Sequence, residues 1–84
     1  MSAPITLQQQ AAHYAAAFAK AKADLPALIA ERDAAEAVWV ERGGAVRMWC
    51  ARDAVARQRR HIDRMRKEYE THRLLADLTA GRIR

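Results

Sequence analysis

Residues 37–50 read Ala-Val-Trp-Val-Glu-Arg-Gly-Gly-Ala-Val-Arg-Met-Trp-Cys, and the Gly43-Gly44 pair at their centre decides the fold. A glycine-rich loop that cradles phosphate needs a preceding strand and further glycines at fixed spacing, as in G-x-x-x-x-G-K-S/T. Neither is present here. The pair follows Arg42, and a cation in a last helical turn followed by glycine is the pattern of a helix end, where a left-handed residue closes the last carbonyls. Gly43-Gly44 therefore predicts a turn between two helices.

On the N-terminal side, Thr6 followed by Gln9 fits a capping box, and Pro4 cannot extend a helix backwards. A helix starting near Leu7 carries Leu7, Ala11, Tyr14, Phe18, Ala21, Leu25, Leu28, Ala35 and Trp39 at alternating steps of four and three, with Arg32 as the one interruption. That rhythm marks a helix packed along one seam. Pro26 removes an N–H and pushes its ring toward the carbonyl of Lys22, which predicts a kink. Asp24 is a candidate cap for a separate helix beginning there. The apolar phase nevertheless runs through the proline unshifted, which favours one kinked arm over two helices.

On the C-terminal side, Met48, Ala51, Val55, Gln58, Ile62, Met65, Tyr69, His72 and Ala76 repeat the same steps, and Gly81 is placed to end the helix. The expected fold is all-α: a single domain over residues 1–84, with arm one at about 7–42, a turn at 43–44 and arm two at about 45–80. Folded antiparallel, the arms bring Trp39 near Met48, Leu25 near Ile62, Phe18 near Tyr69 and Gln58 near Arg32. A three-helix bundle broken at Pro26 is the alternative. One hairpin gives a thin seam rich in alanine, so two copies paired as a dimeric four-helix bundle are expected to supply the missing burial.

Charge divides unevenly between the arms. Residues 1–42 hold four Lys/Arg and five Asp/Glu, whereas residues 43–84 hold eleven and five. Arg57, Arg60, Arg64 and Lys67 recur every three or four residues as one outward stripe of the second arm. The stripe is either a solvated, partly paired face or a set of phosphate contacts for nucleic acid. Nothing in the chain has the spacing of a helix-turn-helix, a zinc knuckle or an aromatic RNA-binding motif.

Around the turn, Val38, Trp39, Val40, Val46, Met48, Trp49 and Cys50 are too many for one seam, since Trp49 and Cys50 project about 100° and 200° away from Met48. Val38, Trp39, Met48 and Trp49 are the candidate partner-binding residues, because Trp and Met are enriched where proteins meet. Leu74, Leu75 and Leu78 form a further patch, expected to cover the first arm around Leu7 and Ala11 or the matching residues of a second subunit.

The sequence offers no constellation for catalysis. His61 lies three turns from Cys50, and Glu68 and Glu70 face different sides of a helix. His61 and His72 are too far apart along a helix to share a metal. His13 is placed to approach His72 across the hairpin, with Glu68 nearby, but no set of four ligands emerges. His72 is better read as a seam residue paired with Glu68. No enzyme activity, metal or cofactor is expected.

The single cysteine allows no intrachain disulfide, and no apolar run reaches the roughly 20 residues of a membrane span. The N-terminus lacks the basic start and apolar core of a secretory signal. These features fit a cytoplasmic protein that binds other proteins, itself included, with nucleic acid as the second candidate and no membrane or small-molecule substrate. By size and composition alone, such chains occur among bacteriophage accessory and virion components.

Overall fold

The computed structural model describes residues 5–81 of the chain. It contains two long helices, α1 (Leu7–Arg42) and α2 (Ala45–Thr79), packed against each other as an antiparallel hairpin, with no strand among the described residues. Thr6 caps α1 as its sequence predicts. The Thr6 N–H donates to Gln9 Oε1 at 2.9 Å, and the Gln9 N–H donates to Thr6 Oγ1 at 3.1 Å. Pro4, the expected upstream stop, lies outside the described residues.

Helix α1 continues through Pro26 without interruption, so the chain is not a three-helix bundle. The unshifted seam explains this outcome. Leu25 and Leu28 keep their contact with α2 only if the backbone stays helical past the proline, and tertiary packing offsets the local cost.

The turn consists of Gly43 and Gly44, at φ +83° and +95°. The Gly43 N–H donates to the Trp39 carbonyl at 3.0 Å, closing α1, and the Gly44 carbonyl accepts from the Met48 N–H at 3.4 Å, opening α2. A Cβ at either glycine meets nothing within 4 Å. The demand for glycine is therefore one of backbone conformation and not of space. At the far end, Ala80 donates to Ala76 and Gly81, at φ +72°, donates to Leu78.

The seam positions read from the sequence face the partner helix along nearly the whole length. Ala21, Ala35, Met48, Val55 and Ala76 are buried, and the remaining seam residues are half-buried except Trp39, which is 44% exposed. Arg52 and Glu36 bridge the helices at 2.8 Å near the turn. Phe18 and Tyr69 meet with ring centres 6.1 Å apart, and Tyr14 stacks on His72 at 4.5 Å. Gln58 departs from expectation. Its Nε2 donates to the Ala21 carbonyl at 2.9 Å, while Arg32 turns to its neighbour Asp33. The register of the other contacts sets residue 58 opposite residue 29, about two turns from Ala21. The reach of a glutamine and a carbonyl pointing along α1 toward its C-terminus cover part of that distance.

The molecule is long and thin, with extents of 60 × 34 × 15 Å and a radius of gyration of 18.6 Å. A compact domain of this length has a radius of gyration of about 12 Å. Its accessible surface is 6490 Å², where a folded monomer of the same mass exposes about 5,000 Å².

Candidate interaction surfaces

Four surfaces remain once the seam is closed. The first is the turn end. Val38 is half-buried, Trp39 and Trp49 are exposed, and Val40 and Val46 are each 77% exposed. Met48 differs from the other candidate contact residues: at 3% exposure it belongs to the contact between the two helices, which leaves no side-chain surface for another molecule. Trp49 lies three residues before Arg52, and Val40 lies four after Glu36. Helical spacing puts both on the flank that carries the Arg52–Glu36 ion pair. The opposite flank holds a shallow hollow of about 240 Å³ lined by Glu31, Ala35, Arg47, Cys50, Ala51 and Ala54.

The second surface is the basic stripe of α2. Arg57 is paired with Asp53 at 3.0 Å, and Arg64 donates to His61 Nδ1 at 3.0 Å. Arg60 and Lys67 have no hydrogen-bond or ion-pair partner among the described residues, and neither has Arg59 beside them. The acids of α1 do not neutralise this stripe. Asp24 holds Lys20 at 2.7 Å within its own helix, and the one ion pair between the helices among the described residues is Arg52–Glu36 near the turn.

The third surface is the open end of the hairpin. Leu74, Leu75 and Leu78 are 49%, 42% and 48% exposed, so they do not cover α1 within the chain as expected. Leu75 projects to the side of the seam, which at this level is already filled by Tyr69, His72 and Ala76, and Leu74 and Leu78 project to the far face of α2. A groove of about 530 Å³ lies at the same end, lined by Ile5, Gln9, Gln10, His13, Tyr14 and His72. The rings of His13 and Tyr14 meet edge to face at 5.3 Å, and Tyr14 stacks on His72. His72 Nε2 lies 3.5 Å from Glu68 Oε2, the pairing expected of it, and its buried Nδ1 has no partner. Tyr14, not His13, is the ring against His72. No group of three or more His, Cys, Asp or Glu is placed to hold a metal among the described residues.

The fourth surface was not anticipated from the sequence. Ala16, Ala19, Ala23, Ala30, Ala34 and Ala37 are all exposed and repeat every three or four residues, apart from a gap at Pro26 and Ala27, which are also exposed. They form a second stripe along α1, away from the seam. The signal was present as a second helical repeat interleaved with the first, and it is masked because alanine serves both stripes.

Taken together, these features define a two-helix antiparallel hairpin in which, among the described residues, eight large apolar side chains are exposed and five apolar side chains are buried. No helix among the described residues is long and apolar enough to cross a membrane. No protein-family model, curated protein sequence or solved structure matches the chain.

Proposed function

We propose that the chain works by binding and not by catalysis, as a small protein-interaction or assembly factor that first pairs with itself. In this reading two hairpins, each with α1 bent at Pro26, form a homodimeric four-helix bundle. The pair then presents Val38, Trp39 and Trp49 at its ends to a macromolecular partner. The observation that carries the reading is the imbalance of surface. Five side chains are buried among the described residues, while Ile5, Trp39, Val40, Val46, Trp49, Leu74, Leu75 and Leu78 are large, apolar and exposed. The excess of accessible surface over a compact monomer is about 1,400 Å², and a stable association removes about 800 Å² from each partner. Sedimentation equilibrium tests the reading. It predicts a mass of two chains that falls toward one on dilution. A mass of one chain throughout, with a fully helical spectrum, contradicts it.

A second reading is favoured by one observation, the unpartnered charges of Arg60 and Lys67. Here the stripe Arg57, Arg60, Arg64 and Lys67 contacts the phosphates of a nucleic acid, and affinity falls steeply as salt rises. Titration of labelled random duplex and single strands at low and physiological salt tests it. Binding that is lost in Arg60→Glu/Lys67→Glu supports this reading. Absence of binding at low salt removes it.

A further inference from the structure

We infer that the outer face of α1 is the surface on which a second copy of this chain docks, antiparallel, about a two-fold axis between Pro26 and Ala27. The inference rests on the self-association proposed above and names the face that mediates it. Because this face lies opposite the seam of α1, the helices stack in the order α2–α1–α1–α2, a layer in place of a closed four-helix bundle.

Reflecting α1 about that point sets Ala16 level with Ala37 of the partner subunit. It likewise sets Ala19 level with Ala34 of the partner subunit and Ala23 with Ala30 of the partner subunit. All six alanines are exposed in the single chain. The matched stretch, residues 16–37, is 22 residues long and about 32 Å from end to end. Alanine side chains let two helices approach at the close end of the usual separation of about 8–10 Å.

The charges obey the same reflection. At about 100° per residue, Lys20 and Glu31 share one flank of this face, and Lys22 and Asp33 share the other. Across the axis Lys20 therefore comes within about two residues of the level of Glu31 of the partner subunit, and Lys22 of Asp33 of the partner subunit. A parallel pairing sets Lys20 and Lys22 beside their own copies and loses this match. In the single chain Lys20 is held by Asp24, and Lys22 rests over the Phe18 ring at 4.3 Å. Glu31 has no partner among the described residues.

The outer face of α2 cannot take this role. It carries Arg57, Arg60, Arg64 and Lys67, and two copies would set like charges together. Docking through α1 instead leaves the basic stripe on the outside of the dimer. It also brings the turn end of each hairpin beside the open end of the other, where apolar residues are exposed on both.

A charge-exchange experiment on the full chain tests the inference, with sedimentation mass as the readout and circular dichroism confirming that each variant is helical. Lys20→Glu/Lys22→Glu reverses the two cations of this face, and Glu31→Lys/Asp33→Lys reverses the two acids set against them. Each variant alone is expected to dissociate with a Kd raised about tenfold or more, four unlike pairs having become like. An equimolar mixture is expected to recover the two-chain mass. In a Cys50→Ser background, Ala27→Cys is expected to form an intermolecular disulfide under mild oxidation, whereas Arg60→Cys is not. Wild-type dimers with unaffected charge variants and no cross-link at residue 27 overturn the inference but leave self-association standing. A monomeric wild-type chain overturns both.

Discussion

Helices α1 and α2 are nearly equal in length, 36 and 35 residues, and carry the same seam rhythm, yet their outer faces are opposites. That of α1 is lined with alanine and carries mixed charge. That of α2 carries arginine and lysine, several without partners. The inner faces have to match each other and nothing else, so both obey one rule. The outer faces are free of that constraint, and they diverge. Their ends differ in the same way. α1 begins in a capping box, while α2 begins at Gly44 with no side-chain cap, and neither has an acid in its first turn. The start of α2 therefore depends on the turn and on the packing of Met48.

Two adjacent alanines give the sharpest test of the division between faces. Ala35 is 2% exposed on the seam, and Ala34 is exposed on the outer stripe. Ala35→Asp places an unpaired carboxylate between the helices and is expected to cost about 3 kcal/mol or more, enough to unfold a domain this small. Ala34→Asp is expected to cost the hairpin only the difference in helix propensity, about 0.7 kcal/mol, and to weaken the proposed self-association. Thermal melts followed by circular dichroism, together with sedimentation, separate the two effects. Equal losses of helicity would erase the distinction between inner and outer faces.

Gln58 tests the polar point of the seam. Gln58→Glu replaces a donor to the Ala21 carbonyl with an ionised acceptor and is expected to destabilise by about 1–3 kcal/mol at neutral pH. The protonated carboxyl can donate again. Folding therefore raises the affinity of this introduced group for its proton, and the variant gains stability relative to wild type as pH falls. A wild-type-minus-variant difference that is flat from neutral to mildly acidic pH would show that the hydrogen bond carries nothing.

The turn is expected to respond next. Gly44→Ala forces an L-residue to φ +95° and should cost about 1–2 kcal/mol. Gly81→Ala, past the last turn of α2, should lower the melting temperature less, because fraying there relieves the strain. The smallest effect belongs to the outer face of α2. Arg60→Gln/Lys67→Gln breaks no contact in the fold and should leave the melting temperature unchanged. A large drop would mean that these cations hold the hairpin together.

Most of the fold was legible because two independent signals agreed. The repeat of three and four fixed which residues face inward, and Gly43-Gly44 fixed where the chain reverses. Phe18 and Tyr69 meet as their register demands. Pro26 was ambiguous by propensity and was resolved by the phase of Leu25 and Leu28 on either side. Other features resisted for physical reasons. Gln58 has reach enough to choose among several partners, so its acceptor does not follow from its position on the seam. Met48 and Trp49 are adjacent in sequence and alike in composition, yet 100° of helical rotation buries one and exposes the other. The alanine stripe on α1 went unread because alanine is equally at home inside a helix pair and outside it. Its meaning emerges only when the exposed alanines are set apart from Ala21 and Ala35.

The central claim is that one hairpin is too thin to account for its own stability, and that a second copy completes it. The melting temperature measured over a wide range of protein concentration tests this most directly. The account predicts that it rises steadily with concentration, as it must when unfolding also separates two chains. A melting temperature independent of concentration, for a cooperative transition of a single chain, would contradict it.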